Sequence, residues 1–226
     1  MAKLKIPIAE PIIVGSELAY LKECVQTRWI SSLGPFVERF EKRFASFCGV
    51  KYASTVANGT AALHVALLAA GIKLGNEVIV PNMTFVSTAN AVVFCNAKPV
   101  FVDVDKRSWN IDPEKIEEKI NAKTKAIIPV HLYGCPTEMR AINKIAKEHN
   151  LFVLEDAAEA LGAEYRNKKA GALADAAAFS FYGNKIITTG EGGMVTSNNK
   201  RFIEKVNLLK DQGKSKKRKF YHTVLG

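Results

Sequence analysis

The feature that most constrains this chain is a repeated alternation between residues 52 and 181. Six short apolar runs, "YASTVA", "EVIVP", "KPVFVDV", "KAIIPV", "LFVLE" and "AAAFSF", are separated by segments with helical spacing of their apolar residues. Runs of this length bounded by turn signals read as strands buried on both faces, and helices between them cover those faces. The pattern predicts α/β architecture with three layers and a mostly parallel sheet. Helices are expected over 60–70, 86–95, 113–120 with Asp112 as N-cap, 138–149 and 201–209. The first fifty residues also read as helical, and Phe36, Phe40, Phe44 and Phe47 recur as one core-facing stripe.

At 226 residues, 48% hydrophobic and 24% charged, the chain has enough apolar surface for one substantial core. Residues 1–212 are expected to form one large domain, and 213–226 a polar basic segment. The formal charge of +10 favours anionic ligands, and six of the cations lie in "KDQGKSKKRKF". That stretch reads as a solvated basic loop or frayed end. No zinc-ligand pattern, aromatic RNA-binding motif or heptad-linked basic helix accompanies it, so nucleic acid is not an expected partner. The N-terminus lacks a signal-peptide core and no window has the run of apolar residues that a membrane span needs, which points to a cytoplasmic protein without membrane association. Cys24, Cys48, Cys95 and Cys135 are spread without a C-x-x-C pair or a histidine at metal-ligand spacing. They are expected to be reduced, mostly buried thiols, and no metal site is expected.

In open α/β sheets ligands bind beyond the carboxyl ends of the strands. The residues following the runs are Asn58-Gly59-Thr60, Thr84 and Phe85, His131, Asp156, and Ser180 with Lys185. If the runs are parallel neighbours, these side chains share one crevice. Gly59 and Thr60 open a helix straight after a strand, where free N–H groups suit a phosphate, although a plain helix cap is the commoner role of a threonine there. The chain has neither a P-loop nor a dinucleotide fingerprint. Asp156 at a buried strand end needs a cation or strong donors, which a helix N-terminus, a salt bridge or a pyridinium nitrogen would each supply. Lys185 lies between the aromatic "AAAFSFYGN" and the glycine-rich "TTGEGG". It is either a surface turn lysine or a desolvated amine that adds to an aldehyde.

Taken together, "FSFYGNKIITTGEGGMV", "EDAAEALGA", "PVHLYG", "NGTAALHVAL", "VIVPNMTF" and "RWISSLGPFVERFEKRFA" resemble the DegT/DnrJ/EryC1/StrS family of sugar aminotransferases. The resemblance runs in order through essentially the whole chain. It implies a fold type I large domain that binds pyridoxal 5'-phosphate, with Lys185 holding the cofactor covalently and moving the proton. It further implies that Asp156 pairs with the pyridine nitrogen, that Gly59, Thr60 and Ser180 hold the phosphate, and that Phe85 stacks on the ring. Glu159 is placed near the ring's phenolic oxygen, and His131 on the substrate side. The implied reaction moves nitrogen from glutamate to a nucleotide-linked 4-keto-6-deoxy sugar for polysaccharide biosynthesis. GDP-4-keto-6-deoxymannose is the favoured substrate, and UDP- or dTDP-linked sugars are alternatives.

Two departures stand out. Many members carry glutamine where this chain has Glu159, and members continue past "YHTVLG" into a smaller C-terminal domain that this chain lacks, which closes the site and completes a homodimer. Related sugar dehydratases replace the Schiff-base lysine with histidine, so Lys185 argues against that chemistry. A non-catalytic fragment that binds cofactor or partner chains is the remaining alternative.

Overall fold

The computed structural model describes residues 10–214, 221–224 and 226. Its sheet has seven strands: β1 (Tyr52–Val56), β2 (Glu77–Pro81), β3 (Lys98–Val102), β4 (Thr124–Ile127), β5 (Phe152–Asp156), β8 (Ala176–Ser180) and β9 (Gly193–Ser197). A separate antiparallel ribbon joins β6 (Glu164–Tyr165) and β7 (Lys168–Lys169). The helices are α1 (Glu17–Thr27), α2 (Pro35–Cys48), α3 (Gly59–Ala70), α4 (Ser87–Phe94), α5 (Met139–Glu148) and α6 (Lys200–Lys210).

The strand order is β1-β9-β8-β5-β4-β2-β3. Pairs β2·β3, β2·β4, β4·β5 and β5·β8 are parallel, whereas β9 is antiparallel to both of its neighbours. All six predicted runs therefore point the same way, but β1 and β8 are not adjacent. The strand between them, β9, is absent from the sequence-based expectation.

Alternation along the strands divides the core between two faces. Ile79, Ile127, Val153, Ala177 and Phe179 meet Phe44 of α2 and Met139, Ile142 and Ile145 of α5. Val78, Val80, Ala126, Leu154 and Ala178 meet Leu63 and Ala66 of α3, Val92 of α4 and Phe202 of α6. Helix α3 forms because its interior is free of glycine and proline, Asn58 caps it by accepting from the Ala61 N–H at 2.9 Å, and Gly71 ends it at φ 90°. In α5 the buried positions 139, 142, 145 and 146 follow helical spacing, so one stripe faces the sheet.

Several expectations need correction. The segment 113–120 is two 3₁₀ turns rather than an α-helix, although Asp112 does cap it, accepting from the Glu114 N–H. The phenylalanine stripe is only partly core. Phe44 is buried and Phe40 packs beside it, whereas Phe47 is 45% exposed and lies under the Lys169 ammonium. Two of the four free cysteines, Cys48 and Cys95, are buried; Cys135 is exposed and Cys24 is half-buried. Burial pushes the Cys48 thiol up to about 12 and the Cys95 thiol up to about 11.

Helix α1 contributes no buried residue, and Leu18, Leu21 and Val25 face outward on it. Of the basic stretch, 215–220 lies outside the described residues; Lys214 bridges back to His222. Among the described residues, no helix is long and apolar enough to cross a membrane.

Candidate active site

Because the six runs are codirectional, their carboxyl ends and the loops that follow meet at one end of the sheet. A cleft of about 380 Å³ opens there, and Gly59, Thr60, Phe85, His131, Asp156, Glu159, Ser180 and Lys185 all line it. Every singled-out residue is therefore brought to one cavity.

Asp156 ends β5 and is 6% exposed. Its side chain points to the α3/α4 face, where the Thr88 hydroxyl donates to Oδ2 at 2.7 Å and the Ala158 N–H donates to Oδ1 at 3.3 Å. Thr88 is fully buried on α4 and also touches the Thr84 hydroxyl at 2.8 Å. Burial pushes the Asp156 carboxyl above its ordinary value, and those two donors and the more distant His131 and Lys185 pull in the opposite direction. Among the described residues no cation pairs with this carboxylate, so the fold leaves it short of positive charge.

Lys185 follows β8, its backbone N–H donating to the Tyr182 carbonyl at 2.9 Å. Its side chain is only 20% exposed, and Nζ lies 3.6 Å from Glu159 Oε1. Lys185 is thus half-buried at the cleft rather than standing in solvent. Glu159 Oε2 accepts from the Tyr133 N–H at 2.8 Å.

At the other end of the cleft, α3 begins. Asn58 is the cap, so the Thr60 hydroxyl is free of that duty and meets the Ser87 hydroxyl at 2.8 Å. Gly59 is required by proximity: a Cβ there would lie 2.8 Å from Ser180 Cβ, closer than real side chains approach. This contact brings the start of α3 against the end of β8. Phe85 stands at the rim, 72% exposed.

His131 is fully buried. The Thr137 N–H donates to Nδ1 at 3.2 Å, so Nε2 carries the hydrogen and donates to Glu155 Oε2 at 3.1 Å. Its ring nitrogens are thus engaged behind the cleft, and its main-chain N–H donates to the Asp156 carbonyl at 3.1 Å.

Sequence reasoning missed Glu155, Thr88, Ser87 and Tyr133. Glu155 also accepts from the N–H groups of Gly171, Leu173 and Ala174 at 2.8 to 3.0 Å. An acid inside an otherwise apolar run was the available signal for Glu155.

A sheet of this order, with an acid at the end of one strand and an amine after the next, belongs to the fold type I pyridoxal-phosphate aminotransferases. The chain is a member of the DegT/DnrJ/EryC1/StrS aminotransferase family, whose sequence profile matches residues 11–226. It is 52% identical over 222 residues to GDP-perosamine synthase from Caulobacter vibrioides, covering 98% of this chain and 60% of that protein. It is 49% identical over 186 residues to dTDP-3-amino-3,6-dideoxy-alpha-D-galactopyranose transaminase from Aneurinibacillus thermoaerophilus, covering 82% and 51%. The crystal structure of an aminotransferase from Psychrobacter cryohalolentis superposes with a TM-score of 0.90 at 38% identity, covering 96% of this chain and 58% of that one. The chain therefore spans about three fifths of the length of the Caulobacter relative.

Proposed function

We propose that these residues form the cofactor-binding domain of a pyridoxal-phosphate enzyme that transfers an amino group from glutamate to a nucleotide-linked keto sugar. The observation that carries the reading is the placement of Asp156 and Lys185 on one cleft that also receives the N-terminus of α3. The cofactor fits this donor set in three respects. A pyridinium nitrogen gives the buried Asp156 carboxylate the cation it lacks. The free N–H groups at the start of α3, with the hydroxyls of Thr60, Ser87 and Ser180, suit a phosphate dianion. Lys185 supplies the amine that an aldehyde requires.

In this reading Gly59, Thr60 and Ser180 would hold the phosphate, Asp156 would keep the ring nitrogen protonated, and Phe85 would pack against the ring. Glu159 would lie near the phenolic oxygen. Lys185 would hold the cofactor through its amine and would serve as the group that accepts and returns the proton. The cofactor supplies an electron sink for the carbon that loses its proton. His131 borders the substrate side through its main chain, its ring serving to tie the 130–132 segment to Glu155.

The identity to the Caulobacter synthase favours a GDP-linked 4-keto-6-deoxymannose as acceptor. The Aneurinibacillus relative, named for a dTDP-linked 3-amino sugar, supports a second reading that differs in nucleotide and in the carbon aminated. The outward apolar face of α1, continued by Ile12, Ile13, Ile30 and Leu33, suits a second copy of the chain, so we include a homodimer in the proposal.

The test is direct. Purified protein mixed with pyridoxal phosphate should gain the visible absorption of a lysine-bound cofactor, and Lys185→Ala should not. Incubation with glutamate and GDP- or dTDP-linked keto sugars, followed by product mass, then separates the readings. A protein that stays colourless with added cofactor is the inert fragment instead.

A further inference from the structure

Helix α4 buries Thr88, Ala91 and Val92, which follow the spacing of one core-facing stripe. Two of them are apolar, as that place demands. The third, Thr88, carries a hydroxyl with no exposure to solvent, which costs free energy unless the hydroxyl is bonded. It is bonded twice. Its hydrogen goes to Asp156 Oδ2 at 2.7 Å, so towards the Thr84 hydroxyl, 2.8 Å away, Thr88 can only accept and Thr84 donates. A directed chain therefore runs from Thr84, on the cleft wall, through Thr88 to the carboxylate.

We propose, on the basis of the cofactor reading, that Thr88 is a positioning residue for Asp156: its hydroxyl, oriented by that of Thr84, turns Oδ2 towards α4 and stabilises the negative charge of a carboxylate facing the ring nitrogen. The geometry supports this in two ways. Of the two contacts that fix the carboxyl, the Thr88 hydroxyl at 2.7 Å on Oδ2 is much shorter than the Ala158 N–H at 3.3 Å on Oδ1. Thr88 also stands in the first turn of α4, where the positive end of the helix favours an anion.

The consequence concerns where one proton sits. Burial raises the proton affinity of Asp156, and the Thr88 hydroxyl leads the groups that lower it, ahead of the Ala158 N–H, His131 and Lys185. A carboxyl and a pyridine nitrogen that share a proton divide it according to their relative affinities. The hydroxyl thus biases that proton towards the ring, the state in which the ring withdraws electrons most strongly.

The experiment compares wild type with Thr88→Val, which keeps the shape without the hydroxyl, and Thr88→Ser, which keeps the hydroxyl without the methyl. Each is loaded with pyridoxal phosphate isotopically labelled at the ring nitrogen. Two quantities are read: the cofactor Kd by spectroscopic titration, and the nitrogen NMR resonance of the ring, which lies upfield when that nitrogen carries a proton. Thr88→Val should raise Kd by about tenfold, as loss of a hydrogen bond to a charged group does, and should move the resonance downfield. Thr88→Ser should match wild type in both. Thermal unfolding shows which variants are folded, and Thr88→Ala takes the place of the valine variant if that one is not. A folded hydroxyl-free variant with wild-type Kd and an unmoved resonance overturns the proposal and leaves the cofactor reading intact. A serine variant as impaired as the valine one overturns it too, since the methyl rather than the hydroxyl then matters. A wild-type protein that takes up no cofactor removes the cofactor reading, and this proposal with it.

Discussion

Replacing Asp156 by asparagine separates what the fold needs from what a ligand needs. The carboxyl is 6% exposed and burial raises its proton affinity, so the sign of its effect on the ligand-free protein is defined. A group whose folded affinity for protons exceeds its unfolded one stabilises most below its unfolded pKa, and that contribution is lost as pH rises through the folded value. At neutral pH the ionised carboxylate therefore opposes folding until a cation joins it. Asparagine keeps the shape and can still accept from the Thr88 hydroxyl, losing only the weaker Ala158 contact at 3.3 Å. Ligand-free Asp156→Asn should accordingly unfold at the same temperature as wild type or a few degrees higher at neutral pH, where each 1 kcal/mol moves a domain of this size by about 2–4 °C. Cofactor binding should move the other way. Exchanging a charge-assisted hydrogen bond for a neutral one at a buried site costs about 1.5–3 kcal/mol, roughly a ten- to hundredfold rise in Kd. Thermal unfolding without cofactor and a spectroscopic titration with it supply the two readings. Equal cofactor affinity in both proteins would refute the assignment of Asp156 to the ring nitrogen. A ligand-free variant that melts well below wild type at neutral pH would show instead that the carboxylate is a structural element.

Gly59→Ala pushes a methyl to 2.8 Å from Ser180 Cβ, and overpacking of this kind costs about 1–3 kcal/mol. Its unfolding temperature should fall and its affinity for inorganic phosphate should weaken; an unchanged melting curve would mean that α3 and β8 are less closely apposed than described. Leu21→Asp places a charge on the outward face of α1, where leucine is 64% exposed and supports no core. Far-ultraviolet circular dichroism should not change, while self-association measured by sedimentation equilibrium should weaken by about tenfold or more. Undiminished association would exclude that face as the contact.

The parallel strands were legible because each is an unbroken apolar run, and a strand covered on both faces has few polar positions. Strand β9 was not, because two of its five residues, Thr196 and Ser197, are polar yet fully or nearly fully buried. Their hydroxyls donate to the Gly171 and Asp175 carbonyls at 2.9 and 2.6 Å, which removes the cost of burying them and also the hydrophobic signal. A similar limit applies to the cleft. Asp156 and Lys185 could be singled out because each lies within a few residues of the end of an apolar stretch in the chain. Thr88 reaches Asp156 from 68 positions away, and Tyr133 reaches Glu159 from 26, so no local pattern connects them. The 3₁₀ turns at 113–120 are a third case. Their apolar residues Ile116 and Ile120 are spaced for a helix, but only Ile116 is fully buried, and the chain tightens into two short turns instead.

Strand β5 ends in two adjacent acids that serve opposite sides of the sheet. Glu155 accepts from amides and meets an imidazole within the protein, whereas Asp156 lines the cleft, held there by the Thr88 hydroxyl and the Ala158 N–H. Which acid faces which side follows from the strand register, in which Leu154 pairs with Ala176 and Ala126 with Phe152. A single inserted residue early in this strand would move Glu155 into the place of Asp156, presenting a longer side chain to the cavity, and would bring Leu154 to the nest of N–H groups, leaving them without an acceptor. The binding chemistry is thus written into strand alignment as much as into residue identity, and insertions in β5 should be far less tolerated than conservative exchanges at either acid.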